Sequence, residues 1–409
     1  MSCIKVNFII IFIYGILTQN SLGLSPVIFI PGDGGAQIEA KLNKTSVVHY
    51  ICAKTTNDFF NIWLNLELLV PFVIDCWVDN LRLEYDNATR TTKNPVGVET
   101  RIPGWGKSEP VEWLDPSHDS TGAYFNTIAD SLVKTMGFQR NLSIMGAPYD
   151  FRKAPNENAE FFVNLKTLVE DTYSANNKTA VTFIVHSMGG LMAHHFLRLQ
   201  SQTWKDQYIR RMISLSTPWA GSIKAVKVFA IGDDLGSMVL RESIMRTQQI
   251  TCPSLAWLLP SPLFWKPSEV LVQTDKFNYT INDLQKLFSD MELPNAWEMR
   301  KDVEKYTVDF QPPGVELHCI YGYNISTVER LVYKPGTWLD GYPTLAPGDG
   351  DGTVNLRSLS ACEHWRKRRW LVSANAGKLV KSVSLANAEH LKILHDQRVV
   401  DYINIVMKN

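Results

Sequence analysis

A short apolar run that ends in a serine flanked by small residues limits the fold of this chain more than any other feature. Residues 181–185 form an apolar, β-branched run, His-Ser-Met-Gly-Gly follows at 186–190, and 191–197 contain strong helix formers without a breaker. A strand, a tight turn and a helix in this order predict a nucleophile elbow, which lifts the Ser187 hydroxyl above a sheet. Val185 replaces the first glycine of the usual Gly-x-Ser-x-Gly pattern, so an ordinary strand-to-helix turn stays open as the alternative.

Two further apolar runs have the same character. Residues 27–30 read Val-Ile-Phe-Ile and stop at a glycine-rich turn, and residues 211–216 stop at Thr217-Pro218. Buried strands that alternate with helical stretches predict an α/β fold with a parallel sheet and crossover helices. Between 223 and 316 the sequence changes to loops with Trp and Pro, which we interpret as a cap inserted between core segments 24–222 and 317–409.

Composition excludes several classes of protein. Apolar residues make up 45% of the 409 residues and charged residues 20%, which is enough apolar material for a sizeable core and unlike a disordered chain. Lys plus Arg equals Asp plus Glu at 41 each, so the formal net charge is zero. Without a global positive field, nucleic acid is not an expected partner.

The N-terminus carries the pattern of a cleaved secretory signal over residues 1–23. Lys5 precedes an apolar run of ten residues, 8–17, and Ser21-Leu22-Gly23 places small residues at the cleavage site. As a helix this run would span about 15 Å, half of a bilayer core of about 30 Å, so we do not expect an anchor. Glycosylation is available on the secretory route, and the sequence contains six Asn-x-Ser/Thr sequons, at Asn43, Asn87, Asn141, Asn177, Asn278 and Asn324.

Cysteine usage agrees with that route. Cys3 lies in the predicted signal, and five cysteines remain, so at least one of them is unpaired. Disulfides persist in the secretory compartment. The sequence leaves the pairing open, with Cys52–Cys76 and Cys319–Cys362 as the simplest choice and Cys252 left over.

Partners for a nucleophilic serine occur downstream of Ser187. Asp351 lies in the Gly-Asp-Gly-Asp-Gly-Thr-Val stretch at 348–354, and His390 follows in Ala-Glu-His-Leu. The order serine, acid, histidine suits a triad in which the imidazole deprotonates the serine and the carboxylate holds the imidazole tautomer. Alternating Asp and Gly could instead form a calcium loop, although the terminal Glu of an EF-hand is absent. His364 and His395 are the alternatives to His390.

An apolar segment at 59–78 is the candidate for contact with lipid. Fifteen of its twenty residues are apolar, but polar residues and a proline limit every apolar run to three residues. It therefore cannot be a transmembrane helix. A buried core helix is one interpretation, and an interfacial segment with Trp63 and Trp77 at the headgroup boundary is the other.

Long strings of this sequence resemble the lecithin–cholesterol acyltransferase family, and within it the lysosomal (group XV) phospholipase A2 branch. The resemblance covers essentially the whole mature chain, and it is carried by residues 31–33, 63–68, 146–152, 186–189, 350–354 and 389–390. It implies an α/β-hydrolase core with a lid-bearing cap at 223–316 and a small membrane-binding subdomain at 46–80. Departures from the family pattern are Val185, Gly190 and a lengthened stretch between Cys362 and His390.

The resemblance also assigns roles to residues. It implies Ser187, Asp351 and His390 as the catalytic triad, with Asp351 preferred over Asp349 because Asp351 precedes Gly-Thr-Val. It implies that the backbone N–H groups of Asp33 and Met188 are the oxyanion donors, and it supports the two disulfides given above. It favours the interfacial interpretation of segment 59–78, whose predicted membrane-binding residues are Trp63, Leu64, Leu68 and Leu69.

The function expected from the resemblance is that of a lysosomal phospholipase A and transacylase. Such an enzyme opens a glycerophospholipid ester through an acyl-serine and passes the acyl group to water or to a lipid alcohol such as ceramide. Covalent serine catalysis supplies its own nucleophile, base and oxyanion donors, so we expect no metal or organic cofactor. The expected partners are phospholipid membranes or lipid particles. The expected location is the lysosome, with secretion as the second possibility.

Two alternative functions stay open at this point. One is a secreted phosphatidylcholine–sterol acyltransferase of the same family, which we favour less because the chain ends at Asn409 without the long polar tail of that relative. The other is a non-catalytic lipid-binding relative, which the presence of Ser187, Asp351 and His390 argues against.

Overall fold

Parallel strands form the central sheet of this computed structural model, which describes residues 23–409 except 71, 119–121, 236–240, 308 and 368–377. The predicted signal peptide lies outside the described residues apart from Gly23. The strands are β1 (Val27–Ile30), β2 (Ile38–Leu42), β3 (Phe60–Trp63), β4 (Glu84–Asp86), β5 (Thr91–Lys93), β6 (Val98–Arg101), β7 (Ile144–Gly146), β8 (Val181–His186), β9 (Ile209–Leu215), β10 (Val270–Gln273), β11 (Asn278–Thr280), β12 (Glu316–Tyr323), β13 (Ile325–Val332), β14 (Thr344–Gly350) and β15 (Val380–Ala386).

Helices connect and cover these strands. The α-helices are α1 (Ile74–Leu81), α2 (Glu109–Glu112), α3 (Asn126–Met136), α4 (Ala159–Ala175), α5 (Met188–Leu199), α6 (Gln202–Tyr208), α7 (Ile223–Ile231), α8 (Glu242–Gln249), α9 (Pro253–Trp257), α10 (Leu284–Asp290), α11 (Pro294–Val303), α12 (Leu356–Leu359), α13 (Glu363–Lys367) and α14 (Gln397–Met407). Short 3₁₀ helices include Leu66–Leu69, Pro155–Glu157, Ile281–Asp283, Glu304–Tyr306, Ser360–Cys362 and Lys392–His395.

The central sheet has six strands in the order β15-β12-β9-β8-β1-β7, and every neighbouring pair is parallel. The chain passes from β1 to β7 on one side and then returns to β8 on the other, so the strand order reverses at β1. In open α/β sheets, sites form at the carboxyl ends of the strands next to such a reversal. The loops that follow β1 and β8 meet there, and the predicted α/β-hydrolase fold is confirmed.

Both faces of this sheet are buried, which explains why its strands read as continuous apolar runs. Along β1, Ile28 and Ile30 pack into the core that contains residues of α4 and α5, whereas Val27 and Phe29 pack into the core that contains residues of α3 and α14. Alternate side chains of a strand point to opposite faces, so one short run supplies both cores. This double burial fixes the loop after β1 relative to the loop after β8.

A second sheet joins two parts of the chain that lie far apart in sequence. Its order is β11-β10-β13-β14, and β10 pairs in parallel with β13 through Val272↔Leu331. Strands β10 and β11 belong to the predicted cap at 223–316, whereas β13 and β14 follow β12 of the central sheet. The C-terminal end of β14 leads directly to Asp351.

The described residues contain two disulfides, Cys52–Cys76 and Cys319–Cys362, and the thiol of Cys252 is free and buried. The first bond ties the loop before β3 to α1, and the second ties β12 to the turn before α13. All six sequon asparagines are exposed. Among the helices in the described ranges, none has the length and apolar character that crossing a bilayer would take.

The structure contradicts one part of the predicted lipid-contact segment. Trp63, Leu64 and Leu69 are buried, and Leu68 is half-buried. The physical reason is local packing, because the Trp63 ring lies 5.9 Å from that of Trp77. The exposed apolar side chains of this segment are instead Leu66, Val70 and Phe72, and Phe72 is 73% exposed.

Candidate active site

Ser187 occupies a strained turn between β8 and α5. Its φ and ψ are 52° and −130°, a region that non-glycine residues rarely adopt and that is typical of functional sites. The Ser187 N–H donates to the Leu215 carbonyl at 2.9 Å, which ties the turn to the neighbouring strand β9. The predicted elbow is therefore the geometry that the sheet imposes at this residue.

Close backbone approach explains the glycines around the turn. A Cβ on Gly189 would lie 2.3 Å from the Pro31 carbonyl oxygen, and one on Gly190 would lie 2.0 Å from Thr217 Oγ1. A larger residue at either position would push α5 away from the loops that follow β1 and β9. Val185, the departure from the usual pattern, lies within β8 and is fully buried in the apolar core.

His390 lies next to Ser187 and Asp351. Its Nε2 lies 2.9 Å from Ser187 Oγ, and its Nδ1 lies 2.8 Å from Asp351 Oδ2. The His390 backbone N–H also donates to the Asp351 carbonyl at 3.0 Å, so main chain and side chain hold the same two residues together. The structure thus brings together the three residues predicted as the triad.

Asp351 is suited to remain ionised in this position. The residue is 1% exposed, and its Oδ1 accepts hydrogen bonds from the backbone N–H groups of Val354 at 2.7 Å and Thr353 at 3.1 Å. Burial alone would raise its pKa, but His390 and the two N–H groups outweigh burial, and the pKa of Asp351 is lowered.

The competing candidates for these roles lie elsewhere. Asp349 is exposed, and its Oδ1 accepts from the Asn324 N–H at 2.6 Å, so it caps the turn between β12 and β13. His395 is hydrogen-bonded to Thr127 Oγ1 at 2.6 Å, and the ring of His364 packs 5.0 Å from that of Phe264. The structure brings none of these three side chains to the Ser187 hydroxyl.

The predicted oxyanion donors flank Ser187 on two sides. Met188 is the first residue of α5, where backbone N–H groups have no intrahelical partner. Asp33 follows Gly32, and a Cβ on Gly32 would lie only 2.7 Å from Ser187 Cβ. The absence of a side chain at Gly32 therefore lets the loop after β1 approach the nucleophile.

The Asp33 side chain adds a titratable group beside this loop. The residue as a whole is exposed, but loss of water around its carboxyl group raises the pKa of that group to about 7. Lys224 lowers and Asp233 raises the pKa by smaller amounts. The carboxyl therefore changes charge near neutral pH.

Three aromatic side chains hold the loop after β1, a role that the sequence did not predict for any of them. Tyr149 Oη donates to the Pro31 carbonyl at 3.0 Å, Tyr124 Oη accepts from the Gly32 N–H at 3.1 Å, and Trp63 Nε1 donates to the Gly34 carbonyl at 2.7 Å. Tyr149 and Trp63 lie within strings that carry the resemblance, but no local pattern connects any of the three side chains to this loop.

The Asp-Gly stretch does not assemble a group of metal ligands, because Asp351 and Asp349 are directed to the separate partners described above. Among the described residues, the carboxylates close enough to share a metal ion are Asp233, Asp234 and Glu242. Lys227 Nζ contacts Asp233 and Glu242, so a lysine ammonium already supplies positive charge to this group.

The site has a strained serine at the point where the strand order of a parallel sheet reverses, and a histidine and a buried carboxylate lie in line with it. These features place the chain in the class of α/β-hydrolase enzymes. The chain belongs to the lecithin:cholesterol acyltransferase family, whose model matches residues 59–397. The predicted family resemblance is thereby confirmed.

Individual relatives support this membership. The chain is 43% identical over 382 residues to "Lysosomal phospholipase A and acyltransferase" of Homo sapiens, which covers 93% of this chain and 90% of the relative. It is 42% identical to the protein of the same name from Bos taurus, with coverages of 93% and 91%. It is 39% identical to "Phosphatidylcholine-sterol acyltransferase" of Gallus gallus, with coverages of 84% and 82%.

Proposed function

We propose that this chain is a phospholipase A and O-acyltransferase that acts through an acyl-Ser187 intermediate. It opens an acyl ester of a glycerophospholipid and passes the acyl group to water or to a lipid alcohol such as ceramide. The observation that carries the proposal is the hydrogen-bonded line Ser187–His390–Asp351 in a member of this family. The chain is 43% identical to "Lysosomal phospholipase A and acyltransferase" of Homo sapiens and 39% identical to "Phosphatidylcholine-sterol acyltransferase" of Gallus gallus, and this difference favours the first substrate class over sterol esterification.

Acylation follows from the hydrogen bonds of the triad. His390 donates its Nδ1–H to Asp351 and accepts the Ser187 hydroxyl proton at Nε2, while Ser187 Oγ attacks the ester carbonyl carbon. The N–H groups of Asp33 and Met188 stabilise the oxyanion that develops on the carbonyl oxygen. When the bond to the glycerol oxygen breaks, His390 returns the proton to that oxygen, and the lysophospholipid leaves.

Deacylation repeats the same steps with a new nucleophile. His390 takes a proton from water or from the hydroxyl of a lipid alcohol, whose oxygen attacks the acyl-Ser187 carbonyl carbon. The bond to Ser187 Oγ then breaks, and His390 returns the proton to Ser187. Water gives a free fatty acid, and a lipid alcohol gives a new ester.

The raised pKa of Asp33 predicts a pH dependence. Below about 7 the carboxyl is neutral, and above about 7 it is an anion next to the developing oxyanion, which it repels. We therefore expect turnover to fall as the pH rises through about 7, and we expect Asp33→Asn, which stays neutral, to flatten this fall. The measurement is kcat on a short soluble ester between pH 4 and 9 for both proteins. An unchanged profile in Asp33→Asn would assign the pH dependence to another group.

A turnover that is higher below pH 7 than above it suits an acidic compartment. We propose the lysosome, reached by the secretory route, as the location.

We propose that the exposed apolar side chains Leu66, Val70 and Phe72 dock the enzyme on phospholipid membranes. Phe72→Ser is expected to weaken vesicle binding about ten- to a hundredfold, since burying a Phe-sized side chain contributes about 1.5–3 kcal/mol. Hydrolysis of p-nitrophenyl butyrate should be unchanged, because this ester needs no membrane. Vesicle sedimentation and both turnover rates are the measurements.

Leu64→Ser is the matched control for a buried residue of the same segment. Leu64 is 9% exposed, so its replacement should lower the free energy of unfolding by about 2–5 kcal/mol and reduce both activities together. If Phe72→Ser behaved in the same way as Leu64→Ser, the docking surface would lie elsewhere.

One assay tests the proposed function as a whole. Phosphatidylcholine vesicles with and without ceramide are incubated with the enzyme at acidic and neutral pH, with EDTA present, and all acyl products are measured. We expect fatty acid without ceramide and an additional acylceramide with it. Acyl transfer to cholesterol but not to ceramide would favour the sterol acyltransferase alternative, and activity that requires added calcium would contradict the metal-free mechanism.

A further inference from the structure

A second buried hydrogen-bond line runs beside the triad and shares no side chain with it. The Gly32 N–H lies 3.1 Å from Tyr124 Oη, Tyr124 Oη lies 2.5 Å from His186 Nδ1, and His186 Nε2 lies 2.8 Å from the His390 carbonyl oxygen. Tyr124 and His186 are 3% and 1% exposed, so water does not substitute for these bonds. The line starts in the loop after β1 and ends on the main chain of the residue proposed as the catalytic base.

The partners determine the direction of every bond. A carbonyl oxygen only accepts, so His186 Nε2 carries the proton, and Nδ1 of the neutral ring must accept from the Tyr124 hydroxyl. The Tyr124 oxygen then accepts the Gly32 N–H. Burial first, and the nearby His390 second, lower the pKa of His186 to about 3, so its ring stays neutral with this tautomer at working pH.

Both ends of the line border Ser187. Gly32 lies against the Ser187 side chain and directly precedes Asp33. At the other end, the His390 carbonyl is bound by His186, while its N–H and its ring are bound by Asp351. Two separate anchors therefore fix His390, and one of them also fixes the loop of the proposed oxyanion donor.

We infer that Tyr124 and His186 are positioning residues, which hold the Asp33 N–H and the His390 ring in register on either side of Ser187. This inference rests on the proposed function and extends it to two residues that touch no reacting atom. Loss of a link would leave buried donors or acceptors unpaired and would let the two loops move independently. A displacement of about 1 Å in such a site can cost about 100-fold in rate.

Tyr124→Phe removes the hydroxyl and keeps the ring. We expect kcat on p-nitrophenyl butyrate to fall about 10- to 100-fold with little change in KM, because the loss affects the transition state and not ester binding. Inhibition by a trifluoromethyl ketone, which forms a tetrahedral adduct with the serine, should weaken by a similar factor.

His186 offers a rescue test that a packing role would not pass. Gln carries both an acceptor oxygen and an N–H donor, so His186→Gln can accept from Tyr124 and donate to the His390 carbonyl. Leu fills space but can do neither. We expect His186→Gln to keep most of kcat and His186→Leu to lose about 10- to 100-fold, with KM similar in both.

Tyr402→Phe is the matched control. Tyr402 Oη lies 2.8 Å from His318 Nδ1, which is another Tyr–His hydrogen bond, but His318 is near the start of β12, at the opposite end of the sheet from Ser187. We expect this variant to lose a comparable amount of thermal stability and no kcat.

Ser187→Ala, measured in the same series, distinguishes a failure of the proposed function from a failure of the inference about Tyr124 and His186. If it keeps activity, the proposed function fails. If it is inactive but Tyr124→Phe and His186→Leu have wild-type kcat while folded, the inference is overturned. Equal losses in His186→Gln and His186→Leu, or a fall in kcat that only follows melting temperature across all variants including Tyr402→Phe, would also overturn it.

Discussion

Ser187→Ala is expected to abolish acyl release and acyl transfer, with a loss of about 10⁶-fold in turnover, because the members of a triad act as a unit. The fold should survive, since the change removes one oxygen from a turn whose main chain stays hydrogen-bonded to the Leu215 carbonyl of β9. Turnover on phosphatidylcholine vesicles and on p-nitrophenyl butyrate, together with a thermal melt, measures both parts of the prediction.

Labelling provides the control for this variant. A fluorophosphonate should modify the wild-type protein with loss of activity and should leave Ser187→Ala unmodified at the same concentration. Activity of Ser187→Ala far above about one part in a million of wild type, which is the level that binding and oxyanion donors alone leave, would argue that another residue is the nucleophile.

Asp351→Asn is expected to lower turnover by about 10⁴-fold and to leave substrate binding largely unchanged. The amide keeps the shape of the side chain but cannot favour the tautomer that presents Nε2 as a base, and it no longer stabilises the imidazolium. The two N–H bonds from Thr353 and Val354 can remain on Oδ1, so the 351–354 loop should stay folded.

Asp349→Asn is the matched control, two residues away in the same Asp-Gly stretch. Its side-chain oxygen can still accept from the Asn324 N–H, and we expect turnover within about twofold of wild type, since exposed substitutions away from special features change little. A larger loss in Asp349→Asn than in Asp351→Asn would reverse the assignment of the acid.

The central part of the fold could be predicted because its signals are local. Runs 27–30 and 181–185 correspond to β1 and to β8 without its last residue, since strands buried on both faces must be continuously apolar. The turn at Ser187 could be predicted for a similar reason. Gly189 and Gly190 follow Ser187 because the neighbouring loops leave no space for a Cβ atom at either position. Chain order and the family resemblance then led to Asp351 and His390.

Other features depend on contacts that no local pattern encodes. Pairing of β10 with β13 joins residues about sixty positions apart, through a region whose sequence suggested only loops. The lipid-contact segment shows the same limit. Its composition shows that segment 59–78 is apolar but not which of its side chains are buried. The packing of Trp63 between Gly34 and Trp77 determines that.

Residues that act through others were the hardest to predict. Tyr124 lies in a stretch without a motif, and the pattern around Ser187 assigns no role to His186. Their roles follow from three hydrogen bonds that span 62, 92 and 204 positions of sequence. A histidine directly before a nucleophile, at the end of a buried strand, is the signal that would have drawn attention to this position.

If the acyl group passes through Ser187, an acyl-Ser187 intermediate can be trapped during turnover. The enzyme is mixed with phosphatidylcholine vesicles, quenched with acid during turnover, digested and analysed by mass spectrometry. We predict a peptide that carries the fatty acyl mass on Ser187 in wild type, a larger fraction of it when the acceptor alcohol is omitted, and none in Ser187→Ala. An acyl group on any other residue, or the same adduct in Ser187→Ala, would show that the acyl group does not pass through Ser187.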